Sequence, residues 1–235
     1  GYIGPKLPYE GRFGLYKSHL IGLEPQCDYS LATNGLNKVW EVMNVGIKPY
    51  PSCHFTHAVI DATRTLTKQH NLTADQVDSI VALVPGEVVK TVCEPLADKQ
   101  APTCAYEAQF SVPYLVAVAL VRGDFSLQDL EPEPLKDAVV AELAKKVTYE
   151  SDPESGFPTY YSGEIRINLK DGRVLSQREF KNRGSFDNPL SEEDLSNKFN
   201  ANCAIAVSAD KASDIKKAVL SLKNLKNAAE LTQHF

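Results

Sequence analysis

None of the five cysteines (Cys27, Cys53, Cys93, Cys104, Cys203) lies in a C-x-x-C spacing, and their number is odd. Neither a disulfide framework nor a metal site is implied, and reduced thiols in a cytoplasmic protein fit best. A basic stripe is missing too. The 25 Lys and Arg are scattered among 30 Asp and Glu, for a net charge of −5, so nucleic acid is not an expected partner. No apolar run approaches the roughly 20 residues of a membrane helix. The longest, Val112 to Val121, is interrupted by Pro113 and Tyr114, so no membrane partner is expected. The first residues, Gly1-Tyr2-Ile3-Gly4-Pro5, contain no Met, no basic residue and no apolar core. They match neither an initiator nor a signal peptide and read as a loop within something longer.

What is present is a chain of 235 residues with 43% hydrophobic content, enough for a sizeable core in one large or two small domains. Residues 1 to 37 carry Gly1, Gly4, Gly11, Gly14, Gly22 and Gly35 with Pro5, Pro8 and Pro25, which predicts loops with short helical pieces. Lys38 to Val42 reads as a short extended segment. A helix is expected from Thr56 to about Gln69, followed by a turn at Asn71 and a capping box at Thr73–Gln76. Val77 to Val84 is β-branched and half alternating, a strand that stops at Pro85-Gly86, with Val88 to Val92 as its continuation. Tyr106 to Arg122 is apolar around its circumference and ends at Gly123, the pattern of a buried helix. Leu135 to Val147 has helical periodicity. Gly163 to Leu169 and Val174 to Phe180 flank an Asp171-Gly172 turn and form a β-hairpin. Ser191 caps a helix with acids in its first turn, and Asp210 to Phe235 is a last helix with an Ile215, Val219, Leu222, Leu225 stripe.

The chemistry concentrates in Lys48-Pro49-Tyr50-Pro51-Ser52-Cys53-His54-Phe55-Thr56-His57. Pro49 and Pro51 hold the segment extended and present Lys48. A helix begins directly afterwards, with Thr56 as N-cap. An imidazole at a helix N-terminus is kept neutral and tolerates an anion nearby. A lysine, a histidine and a helix start together make a corner suited to a carboxylate. The blander alternative is a Pro-rich turn with satisfied polar side chains.

The segment K-x-Y-P-S followed by T-H opening a helix resembles the MmgE/PrpD family, which contains 2-methylcitrate dehydratases, cis-aconitate decarboxylases and iminodisuccinate epimerases. Two further segments resemble it: Phe110-Ser111-Val112-Pro113-Tyr114 running to Gly123, and Gly184 with Pro189-Leu190-Ser191-Glu192-Glu193-Asp194-Leu195-Ser196-Asn197-Lys198-Phe199. Leu7 to Gly14 is similar to the family's connector. The resemblance implies an α+β fold. It consists of a small sheet with packed helices, the family's smaller domain, plus C-terminal helices that would return to an all-helical domain absent from this sequence. The corresponding ranges are a connector at 1–37, the α+β domain at 38–188 and the return helices at 189–235.

By resemblance the chain is the C-terminal portion of a lyase that acts on a small polycarboxylate without metal or other cofactor, inactive alone and 2-methylcitrate dehydratase-like. Lys48 would hold a substrate carboxylate or the developing negative charge, and His57 would assist in binding or proton transfer. Ser52, His54, Gln109 and Ser111 would contact substrate, although Gln109 and Ser111 could equally satisfy backbone near a helix start. Some cis-aconitate decarboxylases have a tyrosine where this sequence has Val88 and Val89, a departure that speaks against that specific activity. The implied partners are the polycarboxylate and a helical domain or homologous chain, with homo-oligomers possible. The alternatives are a carboxylate-binding module and a structural subunit of a split enzyme. A Cys53–His57 hydrolase is remote, because nothing in the sequence orients the base.

Overall fold

The computed structural model of the protein describes Gly1 and residues 3–234. The chain forms two compact units, residues 1–44 and 45–235. The first holds one short α-helix, α1 (Leu15–Leu20), and several single 3-10 turns. The segment expected to be extended at Lys38–Val42 is not a strand. Glu41–Asn44 closes into a 3-10 turn, with Asn44 donating to the Glu41 carboxylate at 2.9 Å, and its β-branched residues have no neighbouring strand with which to pair.

The second unit is α+β. It runs through α2 (His57–His70), β1 (Val77–Val84), α3 (Val89–Val92), α4 (Leu96–Gln100), α5 (Ala105–Gln109), α6 (Val112–Arg122), α7 (Ala138–Ala144), β2 (Val147–Ser151), β3 (Gly163–Leu169), β4 (Val174–Glu179), α8 (Glu192–Cys203) and α9 (Ala209–Leu220). The sheet order is β2-β1-β3-β4. The β1/β2 pair is parallel, with Ile80 opposite Val147, and the other two pairs are antiparallel. The hairpin is found where the Asp171-Gly172 turn places it, with Ile165, Ile167 and Leu169 buried on one face of β3.

Four further expectations of secondary structure change. Val88–Val92 continues as helix rather than strand, because Val88, Val89 and Val92 point into the core at helical spacing once Pro85-Gly86 has turned the chain. The expected Tyr106–Arg122 helix is two helices. Pro113 cannot donate within an uninterrupted helix, so α5 ends at Gln109 and Ser111 caps α6 by accepting from the Tyr114 amide at 3.0 Å. The expected Leu135–Val147 helix covers only Ala138–Ala144, and Val147–Ser151 is instead the edge strand β2. The last helix stops at Leu220 and gives way to 3-10 turns.

The core lies between the sheet and a layer formed by α2 and α6, with Ile60, Leu66, Ile80, Leu115, Ile165 and Ile167 fully buried. Each such side chain contributes about 1.5–3 kcal/mol of hydrophobic transfer energy. The approach of α2 to the sheet is close at Gly163, where a Cβ would lie 2.9 Å from Val59 and 3.2 Å from Ala58. That contact seats the first turn of α2, and with it His57, directly over β3. Among the described residues no helix is long and apolar enough to cross a membrane.

Candidate functional site

Three consecutive residues after β4 grip the Lys48 segment. Asn182 bonds the His54 ring at 2.8 Å, Arg183 bonds Tyr50 and Asp61, and Gly184 accepts the Ile47 amide at 2.7 Å. From the other side, the Gln109 side chain donates to the Pro51 carbonyl at 2.8 Å, and the backbone carbonyl of Gln109 accepts from the Cys53 amide at 2.9 Å. The proline-stiffened segment is thus held at both ends of its turn.

Thr56 does not cap α2 with its side chain. Residues His54–Thr56 form a 3-10 turn that runs into the helix, so Thr56 already has helical geometry. Its hydroxyl donates to the Cys53 carbonyl at 2.8 Å and meets the Ser52 hydroxyl at 2.9 Å.

The charges fall into two groups of opposite character. The first is saturated. The Tyr50 hydroxyl donates to Asp61 and accepts from Arg64 at 2.6 Å and from Arg183 at 2.9 Å. Arg183 also donates to Asp61 at 3.0 Å and to Asp194 of α8 at 2.9 Å, which ties α8 to α2. Burial, followed by the Asp61 carboxylate, pushes the Tyr50 hydroxyl well above its usual range, so it stays protonated.

The second group is uncompensated. Lys48 donates to the Ser52 carbonyl at 3.2 Å, and Lys198 of α8 donates to the Lys48 carbonyl at 2.7 Å. Neither amine forms an ion pair among the described residues. Burial and the charge of Lys48 lower the Lys198 amine, and burial followed by Lys48 also lowers His54. An ammonium has three protons, so each lysine retains donors after its single backbone bond. An anion about 4 Å from one of them would gain on the order of 4 kcal/mol in a partly solvated site.

His57 is completely buried, and neither ring nitrogen has a hydrogen-bond partner. The Ser52 carbonyl is near enough to favour the charged ring slightly but lies outside bonding geometry. Desolvation dominates, with His54 and the two lysines adding to it, and the ring is pushed down to about 3. It lies against the edge of Tyr50, with centroids 5.5 Å apart, and against His54 at 4.8 Å.

The structure therefore brings Lys48, Ser52, His54 and His57 together, with Gln109 as the clamp of their loop. Ser111 stands apart: it is fully buried, its hydroxyl donating to the Lys99 carbonyl while capping α6. Val88 and Val89 are core residues. Lys198, Asn182, Arg183 and Asp61 join the site without having been assigned to it from sequence. The i,i+3 spacing of Asp61 and Arg64 and the position of Lys198 on the helix capped by Ser191 were the available signals; Asn182 had none. A cleft of about 400 Å³ opens beside the cluster, lined by Tyr50, Arg64, Leu190, Arg183, Asp194 and Lys198 among others. Lys198 is common to the cleft and the cationic group, whereas Lys48, His54 and His57 lie outside the cleft lining.

The model of the MmgE/PrpD C-terminal domain matches residues 50–224. Cis-aconitate decarboxylase of Mus musculus is 31% identical over 206 residues, covering 83% of this chain and 40% of that protein. The Homo sapiens cis-aconitate decarboxylase is 30% identical over 196 residues, covering 80% and 39%. The cis-aconitate decarboxylase-like protein oryM of Aspergillus oryzae is 24% identical over 243 residues, covering 98% and 49%. The chain thus spans less than half the length of each of these relatives. The matched range contains Ser52, His54, His57, Asn182, Arg183 and Lys198, and begins just after Lys48. The chain belongs to the MmgE/PrpD family, and its residues 50–224 are the family's C-terminal domain.

Proposed function

We propose that this chain supplies the carboxylate-binding part of a lyase acting on a small polycarboxylate of the cis-aconitate type. The observation that carries the reading is the pair Lys48 and Lys198, two amines without a carboxylate partner, the second bonded to the backbone carbonyl of the first, beside a histidine pair that burial keeps neutral. In such a site the amines hold a substrate carboxylate and offset charge as it develops. When the C–CO2 bond breaks, its electron pair passes into the conjugated acid, whose oxygens become more negative and bind the amines more strongly than before. A proton then replaces carbon dioxide on carbon.

Loss of carbon dioxide is preferred over loss of water because of the relatives' names. Val88 and Val89 do not oppose it, being core residues. Elimination of water from a 2-methylcitrate-like acid is the second outcome that the same assay would detect. His57 is buried and neutral, so the proton donor is assigned to residues beyond the 235, on a helical domain or a homologous chain that completes the cleft. Gln109 acts by clamping the loop.

Titration calorimetry of the 235-residue chain with cis-aconitate and with 2-methylcitrate, together with assays for released carbon dioxide and for water loss, tests this. The expected result is binding without turnover, and binding that disappears in Lys48→Ala. Turnover by the chain alone, or binding unchanged in both Lys48→Ala and Lys198→Ala, would overturn it.

A further inference from the structure

Asn182 is 2% exposed, and both ends of its amide are engaged. The backbone amide of Tyr161 donates to its Oδ1 at 3.1 Å, and its Nδ2 lies 2.8 Å from Nε2 of His54. The orientation of an amide is often ambiguous, but here a neighbour decides it. A backbone N–H can only donate, so the atom facing Tyr161 must be the oxygen. The nitrogen therefore faces His54, and because Nδ2 carries only donor protons, Nε2 of His54 must accept. Turning the amide over would place its NH2 against the Tyr161 N–H and leave both donors unsatisfied in a buried position.

We propose that Asn182 is a positioning residue that locks the proton of His54 on Nδ1, so that His54 meets a ligand oxygen as a hydrogen-bond donor and not as a base. Nδ1 of His54 makes no hydrogen bond among the described residues, and the ring is half-buried, leaving Nδ1–H as the polar edge not yet used. The groups facing the ring are His57 at 4.8 Å, Tyr161 at 4.5 Å, Asn182 and the charge of Lys48. None of them is an anion, so nothing nearby rewards protonation of Nε2, and a doubly protonated ring would put Nε2–H against the Asn182 NH2. The role toward a ligand rests on the reading of this corner as a carboxylate site. The proton position does not.

The test is long-range nitrogen–proton NMR of the uniformly labelled 235-residue chain without ligand, with the His54 ring signals assigned by their loss in His54→Gln. In the wild type Nε2 is expected to be unprotonated and Nδ1 protonated at pH 7. Asn182→Asp keeps the acceptor for Tyr161 and replaces the donor by a carboxylate oxygen. Nε2 should then become protonated, and the His54 midpoint should rise by about one to three units. A conserved amide fingerprint elsewhere establishes that the variant is folded. A protonated Nε2 in the neutral wild-type ring, or an unchanged pattern in Asn182→Asp, would overturn the proposal. Because no ligand is present, either result leaves the lyase reading to be judged by its own assay.

Discussion

Gly184→Ala is the sharpest test of how the Lys48 segment is held. Gly184 has a φ of +90°, and a Cβ there would lie 2.0 Å from the Ile47 carbonyl oxygen. That carbonyl belongs to the residue whose amide donates to Gly184 at 2.7 Å, so the clash cannot be relieved without opening the bond. The left-handed backbone costs an L-residue about 1–2 kcal/mol, and the lost hydrogen bond costs about 1 kcal/mol more. The expected destabilisation is about 2–3 kcal/mol before any strain in the displaced 45–49 segment. With a urea dependence of about 2 kcal/mol per molar, the unfolding midpoint should fall by about 1–1.5 M. Gly172→Ala is the control. It sits in the β3–β4 turn at a φ of +88° with nothing within 4 Å of the added carbon, so it carries the backbone cost alone. If Gly184→Ala loses no more stability than Gly172→Ala, the proposed clamp between Gly184 and Ile47 is wrong.

The remaining predictions concern charge. Lys198→Ala should weaken cis-aconitate binding by about 10- to 100-fold, the worth of one charge-assisted hydrogen bond of about 1.5–3 kcal/mol; calorimetry showing wild-type affinity would remove Lys198 from the site. His57 is neutral in the fold with its value at about 3, against 6.5 ordinarily. The stability it secures is complete above pH 6.5 and is lost as pH falls toward 3, at about 1.4 kcal/mol per unit once the unfolded chain binds the extra proton. Urea stabilities measured from pH 7 to pH 4 should fall less steeply in His57→Leu than in the wild type, and parallel profiles would contradict this. Arg183→Met removes the bonds to Tyr50, Asp61 and Asp194 at once, leaving Asp61 only Arg64 and Tyr50. It should cost about 2–3 kcal/mol and speed amide exchange along α8; unchanged exchange there would show that Arg183 does not tether that helix.

Elements with strong local signals were legible in the sequence. The Asp-Gly hairpin, the strand ending at Pro85-Gly86, the Asn71 helix stop and the Ser191 cap are each specified by residues within one turn of the feature. Errors arose where a pattern fits two structures. Val88–Val92 is β-branched yet helical because the core accepts it at helical spacing, and Val147–Ser151 became a strand only because the edge of β1 was open to it. Pro113 fits the first turn of α6, where its missing N–H costs nothing, but a helix cannot extend back through it, and this is why α5 and α6 are separate.

For the site, composition, spacing and resemblance assembled Lys48, Ser52, His54 and His57 on one segment, since short-range chemistry is written contiguously in the chain. What required tertiary structure was everything contributed from a distance: Lys198 from α8 beside Lys48, Arg183 between Asp61 and Asp194, and Asn182 behind His54. The burial that leaves His57 neutral is likewise a property of the closed core. Local propensities depend on neighbours in sequence and can be read there. Charge balance, desolvation and hydrogen-bond partnership depend on neighbours in space, and in this chain Lys198 and Asn182 lie more than a hundred residues along from Lys48 and His54.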